Sequence, residues 1–309
     1  MPQIYLGVLI LNLRAIARRI LGRRGTFLLR NMVSEIAFRI GYYEDPRSRP
    51  QGISAMVITY NEEDWIEPSI LSIKDLVDEY IVMDSSTDKT PEIVERVKSE
   101  HGLNIKLHRI PPGNIVATRN EALKNGSYRW ILVWDGDFVL YDDKAKIVRN
   151  LIQNLDPRKH YLVYWPMIQL CDDLHHLCGN YIHIEHWLYT WSSRTRYAYI
   201  GARDSLIAPL RLYKPIIITE PLGLHIQARK PKRTAIKHLW YKHREYFEKK
   251  NREDPEKIVR EIALNTFGTE DLNEIGKRLI KDIVVNLQEY KGPYPGVLLR
   301  YLKTNSYGE

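Results

Sequence analysis

The sequence predicts an α/β fold: a mostly parallel sheet flanked by helices, with further helices added at the N- and C-terminal ends. Three observations carry this. Apolar, strand-like runs alternate with helical apolar periodicity between residues 53 and 137. Each run empties into a polar loop, as parallel strands with crossover helices do. The 309 residues, 44% apolar and 27% charged, suffice for one large domain or two small ones with an ordinary core. Three segments follow: 1–48, an amphipathic helical segment and linker; 49–228, the alternating α/β domain; and 229–309, a helical C-terminal region.

Residues 4–13 are apolar apart from Gly7 and Asn12. A membrane span needs about 20 apolar residues. Extending this run that far would include Arg14, Arg18 and Arg19, at about 2.5–3.5 kcal/mol each near a bilayer centre. A secretory signal does not fit either, because the positive charge follows the apolar run. An interfacial helix fits better, with Arg14, Arg18, Arg19, Arg23 and Arg24 towards anionic head groups. A second apolar pattern runs through Phe27, Leu28, Met32, Val33, Ile36 and Ile40. These helices would otherwise pack on the catalytic domain or a partner subunit. Residues 43–52, with Pro46 and Pro50, read as a linker.

Ser54-Ala55-Met56-Val57-Ile58 reads as a buried strand running into the polar loop Thr59-Tyr60-Asn61-Glu62-Glu63. Ile66, Ile70, Ile73 and Val77 then recur at helical spacing. Tyr80-Ile81-Val82-Met83 is a second strand, followed by the loop Asp84-Ser85-Ser86-Thr87-Asp88. Thr90 as N-cap and Pro91 as first helical residue open the next helix. Ile105-Lys106-Leu107-His108 is a short third strand, and 117–124 a helix closed by Asn125-Gly126. Trp130-Ile131-Leu132-Val133-Trp134 is a fully buried strand that ends in Asp135-Gly136-Asp137. At a period of two, both carboxylates point the same way, and Gly136 permits a sharp turn or a close approach. Two hard oxygen donors at a strand end suit Mg²⁺ or Mn²⁺. An isolated Asp-x-Asp is more often a solvated turn. Here the loops at 59–63, 84–88 and 135–137 all leave strand ends, where parallel sheets bind ligands, so they should converge on one crevice.

Four motifs occur in order: Ile58-Thr59-Tyr60-Asn61-Glu62-Glu63, 82–90 around Asp84, Arg119-Asn120-Glu121-Ala122, and Asp135-Gly136-Asp137. In order and spacing they resemble a family 2 glycosyltransferase with the GT-A fold, a mostly parallel Rossmann-like sheet. The resemblance is strong over 53–140 and loose over 141–228, where the chain looks most similar to the branch that builds lipopolysaccharide-core-like or lipid-linked glycans. It implies inverting transfer of a sugar from a UDP- or GDP-linked donor to a lipid-linked or glycan acceptor, with Mn²⁺ or Mg²⁺ as cofactor. It further implies that Thr59, Tyr60, Asn61, Glu62, Asp84 and Ser86 surround base and ribose, and that Arg119 reaches the base or a phosphate. Asp137 would bind the metal directly and Asp135 the ribose or the metal through water. His225, in Pro221-Leu222-Gly223-Leu224-His225-Ile226, would complete the metal site; a lone histidine is otherwise structural.

For the general base, Asp204 stands where relatives place a carboxylate after a glycine, with Asp172, Asp173 and Glu185 as rivals. Strand-like residues at 161–170 and 181–189 flank a segment holding Cys171, His175, His176 and Cys178, with His183 and His186 beyond. The spacing is not that of a common zinc motif. A hairpin flap over the acceptor site, with a polar tip, is the favoured reading, ahead of a zinc site and of a Cys171–Cys178 disulfide.

The net charge of +8 is concentrated in the N-terminal arginines and in Arg229, Lys230, Lys232, Arg233, Lys237, Lys242 and Arg244. Anionic partners are implied, with lipid head groups and donor phosphates ahead of nucleic acid, for which no binding motif is present. Trp240, Tyr241, Tyr246 and Phe247 interleave with these cations, and no chemistry is readable in 229–309. The expected location is cytoplasmic, peripheral on the inner membrane face. Two other functions are weighed: nucleotidyl transfer on a related fold, which would need a glycine-rich basic loop where 59–63 is acidic, and non-catalytic sugar-nucleotide or glycan binding, against which Asp84, Asp135 and Asp137 argue.

Overall fold

The computed structural model describes residues 39–302 except 172–173, 201–202, 209–211, 228–229, 243–254 and 285–287, together with scattered positions between 22 and 37. A nine-stranded sheet forms its centre. One half comprises β1 (Ile53–Thr59), β2 (Glu79–Asp84), β3 (Ile105–Arg109) and β4 (Trp130–Asp135), in the order β3-β2-β1-β4 and all parallel. β1, β2 and β4 are buried nearly throughout, because helices cover both faces. That is why they read as continuous apolar runs. α1 (Ile66–Ser72) and α2 (Thr90–His101) bring Ile66, Ile70, Val94 and Val97 to one face. α3 (Ile115–Asn125) brings Ala122 and Leu123 to the other. Thr90 is the first helical residue rather than the cap; its backbone N–H and hydroxyl both donate to Asp88 Oδ1.

Beyond residue 135 the sheet is mixed. β5 (Phe138–Leu140) is followed by α4 (Lys144–Gln153) and by a long hairpin of β6 (His160–Cys171) and β7 (Leu177–Thr190). β7 pairs antiparallel with β4, while β6 pairs parallel with β10 (Tyr213–Ile217) and β11 (Gly223–Gln227). β11 closes antiparallel on β5. The hairpin is therefore present, but its base is central sheet and not a cover: Val163, Trp165, Trp187 and Leu188 belong to the main core. At its tip Cys171 and Cys178 form a disulfide, the reading ranked behind the polar-tipped flap and the zinc site. A low cysteine count speaks to compartment, whereas proximity is set by register. Leu170 pairs with Leu177, and Cys171 N–H donates to the His176 carbonyl, which leaves the two Cα atoms 5.0 Å apart.

β8 (Arg196–Ile200) and β9 (Arg203–Ile207) form a separate ribbon. Asn120 of α3 fixes it by bonding both the N–H and the carbonyl of Tyr197. The C-terminal region divides in two. α5 (Pro231–Lys242), α6 (Pro255–Phe267) and α7 (Leu272–Val284) pack around Ala235, Leu239, Val259, Ala263 and Ile275. Gly276 lets α7 lie directly on the start of α5: a Cβ there would fall 1.8 Å from the Pro231 carbonyl oxygen. Residues 288–302, ending in α8 (Leu299–Leu302), return to the sheet, where the Tyr290 and Tyr141 hydroxyls meet at 2.9 Å.

The expected linker is docked instead of free. Pro46 is buried, Glu44 accepts from Ser192 and Ser193, and the Arg49 guanidinium lies 3.5 Å over the Trp191 ring. Described positions from 22 to 39 are helical, and Met32, Val33, Ile36 and the turn residue Ile40 are exposed. Among the described residues no helix is long and apolar enough to cross a membrane. The apolar run 4–13, all five N-terminal arginines but their surroundings at Gly22 and Gly25, and Phe27 and Leu28 lie outside the described residues.

Candidate active site

The carboxyl ends of β1, β2 and β4 open into a cavity of about 510 Å³. Its floor is the loop after β1 laid on the loop after β2. Asn61 adopts the left-handed conformation (φ 55°) that its type tolerates. Its Oδ1 accepts from the Thr87 N–H at 2.8 Å, and its own N–H donates to Ser86 Oγ at 2.7 Å. Asp84 is wholly buried beneath this junction. Its Oδ1 accepts from Thr59 Oγ1 at 2.7 Å and Ser86 Oγ at 2.5 Å, and Arg109 pairs with its Oδ2. Asp84 and Ser86 thus sit beneath the cavity and are not among its lining residues. The register explains this: Thr59 and Asp84 are direct partners on adjacent parallel strands, so the carboxylate is consumed between them. Thr59, Tyr60, Asn61 and Glu62 do line the cavity.

Gly136 permits a close approach, though by the chain's own loop: a Cβ would stand 2.9 Å from Glu62 Cγ and 3.1 Å from Thr59 Cγ2. The two flanking carboxylates consequently enter the same cavity as the β1 loop, and Asp204 of the β8–β9 ribbon joins them. Burial raises the Asp135 carboxyl to about 6; Arg119 pulls it down, while Asp137 and Asp204 push the same way as burial. Asp135 Oδ1 has no hydrogen-bond partner among the described residues. Glu79, a buried carboxylate at the opposite end of the sheet, differs. It accepts from Ser54 Oγ, the Ser127 N–H and Oγ, and Lys106 Nζ. A fully bonded carboxylate is structural, whereas one left short of partners needs another explanation.

Arg119 is not among the residues that line the cavity. It is 7% exposed and bridges two acids, with Nε donating to Asp204 Oδ2 at 2.5 Å and Nη2 lying 3.6 Å from Asp135 Oδ1. Burial disfavours its charge, but the Asp135 and Asp204 carboxylates outweigh that and raise its pKa. Its position links the β4 end to the ribbon. His225 is brought beside Asp137. β11 pairs His225 with Phe138, the residue after Asp137, and His225 Nε2 lies 3.5 Å from Asp137 Oδ2. The rival bases Asp172 and Asp173 lie outside the described residues, as do the side chains of Glu185 and His186. Among the described residues no three His, Cys, Asp or Glu side chains form a ready-made metal cluster.

The sequence reading named the basic cluster after residue 228 as a partner for anions, donor phosphates among them, without placing it at this cavity. Lys230, Lys232, Arg233, Lys237 and Trp240, on or just before α5, line the cavity. Arg233 pairs with Glu62 and donates to the Tyr60 carbonyl at 2.7 Å. Lys237 Nζ lies 3.4 Å from Asp137 Oδ2, and Lys230 pairs with Glu63 and Asp64. Arg233, Lys237 and Trp240 recur at i, i+4 and i+7, with Ala235 and Leu239 buried on the other side. That spacing was the available signal.

Comparison with known proteins gives three results. Residues 54–164 match the family described as Glycosyl transferase family 2. A poly-beta-1,6-N-acetyl-D-glucosamine synthase of Staphylococcus epidermidis is 31% identical over 99 residues, 30% of this chain and 23% of that protein. A TPR repeat-containing protein of Synechococcus elongatus is 36% identical over 86 residues, 28% of this chain and 20% of that one. The chain thus spans under a quarter of the length of these curated relatives. Among solved structures, S. aureus TarS 1-349 superposes with a TM-score of 0.42 at 14% identity, covering 83% of this chain and 74% of that one. The matched stretch contains the β1 and β2 loops, Arg119, Asp135 and Asp137, and over it the chain is similar to glycosyltransferase family 2.

Proposed function

We propose that this chain transfers a sugar, with inversion, from a UDP- or GDP-linked donor to a lipid-linked or glycan acceptor. One observation carries the reading: Asp135 and Asp137 from the β4 end and Asp204 from a separate ribbon face one cavity behind the β1 loop. Thr59, Tyr60, Asn61 and Glu62 offer the donor's base and ribose a wall with a ring and a carboxylate. Asp204, anchored through Arg119, stands as the group that takes the acceptor hydroxyl proton. The loop after β1 carries the acidic run Glu62-Glu63-Asp64 and not the glycine-rich basic loop that the nucleotidyl-transfer alternative would need.

The residues present fit a divalent metal, Mn²⁺ or Mg²⁺. Asp135 Oδ1 is a buried oxygen short of a hydrogen bond, and Asp137 Oδ2 already faces two cationic or ligating nitrogens, those of Lys237 and His225. Asp137, Asp135 and His225 would hold the ion, which when bound neutralises charge developing on the leaving diphosphate. The test is donor hydrolysis without acceptor, with and without Mn²⁺, across a panel of nucleotide sugars. UDP-N-acetylglucosamine comes first, after the sugar in the name of the Staphylococcus epidermidis relative. Metal-stimulated release of nucleoside diphosphate from one donor is expected; no turnover of any donor sinks the reading.

The same reading places the enzyme peripherally on the inner face of the cell membrane. Exposed Met32, Val33, Ile36 and Ile40 follow the arginine-rich start and suit an interfacial helix. Deleting residues 1–40 should leave a folded domain, since the Glu44 and Arg49 contacts remain, but one that no longer sediments with anionic vesicles. Binding by the full chain should weaken with salt. Equal sedimentation of the two proteins would move the membrane contact to α5 or remove it.

A further inference from the structure

We propose that α5 supplies the phosphate-binding cations of the donor site: Lys237 and Arg233, which pair with Asp137 and Glu62 in this structure, transfer to the donor's diphosphate. The inference rests on the donor-site reading above and assigns to that site residues from outside the matched segment 54–164.

The starting point is charge. The deep wall of the cavity carries Glu62, Asp135, Asp137 and Asp204. A diphosphate entering among these carboxylates is repelled unless cations face it, and one divalent ion does not balance both the carboxylates and the phosphates. Arg119, the cation beneath the site, is buried and already shared between Asp135 and Asp204. Among the described residues, every lysine or arginine that lines the cavity comes from 230–237. Lys230 and Lys232 sit at the outer side, on Glu63, Asp64 and Glu256. Arg233 and Lys237 are one helical turn apart on the inner face and reach the deep acids.

Placement of the helix is rigid where it matters. Ala235, Ile236 and Leu239 anchor it in the C-terminal helical core, and the α7 backbone at Gly276 abuts its first residue. Side-chain motion alone therefore suffices for the exchange: a lysine stem is long, and its ammonium is a movable point charge. Lys237 also stands on the oxygen that a metal ion would use, so ion binding at Asp137 and release of Lys237 towards phosphate are one event. This makes two effects of opposite sign. Without its ammonium the site should bind phosphate worse and a bare metal ion no worse, or better.

The test uses the full chain, with inorganic pyrophosphate and Mn²⁺ as separate probes, by calorimetry and by electron paramagnetic resonance of free Mn²⁺. Lys237→Met should weaken metal-free pyrophosphate binding about tenfold or more, the loss expected for one charge-assisted contact. It should leave Mn²⁺ affinity unchanged or raised. Lys237→Arg should restore most of the pyrophosphate affinity, and Lys242→Met, on the same helix but away from the cavity lining, should change neither. A Lys237→Met protein that binds pyrophosphate within twofold of wild type, with only its melting temperature lowered, overturns the proposal and makes the lysine a structural partner of Asp137. Wild-type protein without pyrophosphate affinity overturns it as well. Pyrophosphate binding that depends on Lys237 in a protein that turns over no nucleotide sugar would uphold the cation assignment and sink the transferase reading alone.

Discussion

Asp137→Ala is expected to abolish metal-dependent donor binding, and sugar transfer with it. The side chain is 3% exposed, and its Oδ2 is the point where His225 from β11 and Lys237 from α5 meet. Hard divalent ions are held by few protein oxygens, so loss of one carboxylate removes a large share of the site. The diphosphate then leaves without the charge neutralisation that the ion supplies, an effect of several kcal/mol. Asp135→Ala should weaken binding too. The measurement is nucleotide affinity with and without Mn²⁺. Metal-free pyrophosphate binding should survive in Asp137→Ala, because Lys237 is released from its partner. Near-normal Mn²⁺-dependent nucleotide affinity in that variant would show that the Asp-x-Asp assignment is wrong.

The parallel half of the sheet was legible because burial on both faces writes itself as uninterrupted apolar runs. The strands around Ile53, Tyr80 and Trp130 stand where the runs predicted. The mixed half was less so. A long strand such as β6 reads correctly as a strand, but its neighbours are set by tertiary pairing across more than 40 residues, as with Tyr213 against His160. Periodicity carries no such information. Hence the hairpin was expected as a cover when its base is core, and the Cys171–Cys178 bond was ranked last although the register brings the two together.

Within the site, acids and a histidine that the sequence singled out are brought together, whereas the basic cluster of α5 was named without a place at the cavity. Asp135, Asp137, Asp204 and the β1 loop converge as expected, and His225 is placed by its pairing with Phe138. Asp84 and Arg119 carry the right residue types for donor contacts, yet both are absorbed in bonds within the protein. A sequence shows that a polar residue is present; whether its oxygens or nitrogens are already satisfied depends on neighbours. The α5 cations lay in a segment without a motif. Their clue was electrostatic: the acidic run from Glu62 to Asp64 calls for cations from elsewhere, and Arg233 and Lys237 share one helical face.

Asp204→Asn separates the base from a mere neighbour of the reaction. The amide keeps the side chain's size, and its oxygen can still accept from Arg119 Nε, so the ribbon should stay attached to α3 through that contact and through Asn120. What it loses is the capacity to take a proton at neutral pH. If Asp204 is the base, transfer should fall by about 10²–10⁴-fold, the range for general base catalysis. Donor affinity should barely change, because the β1 loop, the Asp137 group and the α5 cations remain in place. A fall in kcat with an unaltered donor binding constant marks an interaction made in the transition state. A lowered melting temperature together with weakened donor binding would instead mark Asp204 as a positioning partner of Arg119. Transfer within a few-fold of wild type would also remove it from the chemistry, and Asp172→Asn and Asp173→Asn would then be the variants in which the proton acceptor is sought.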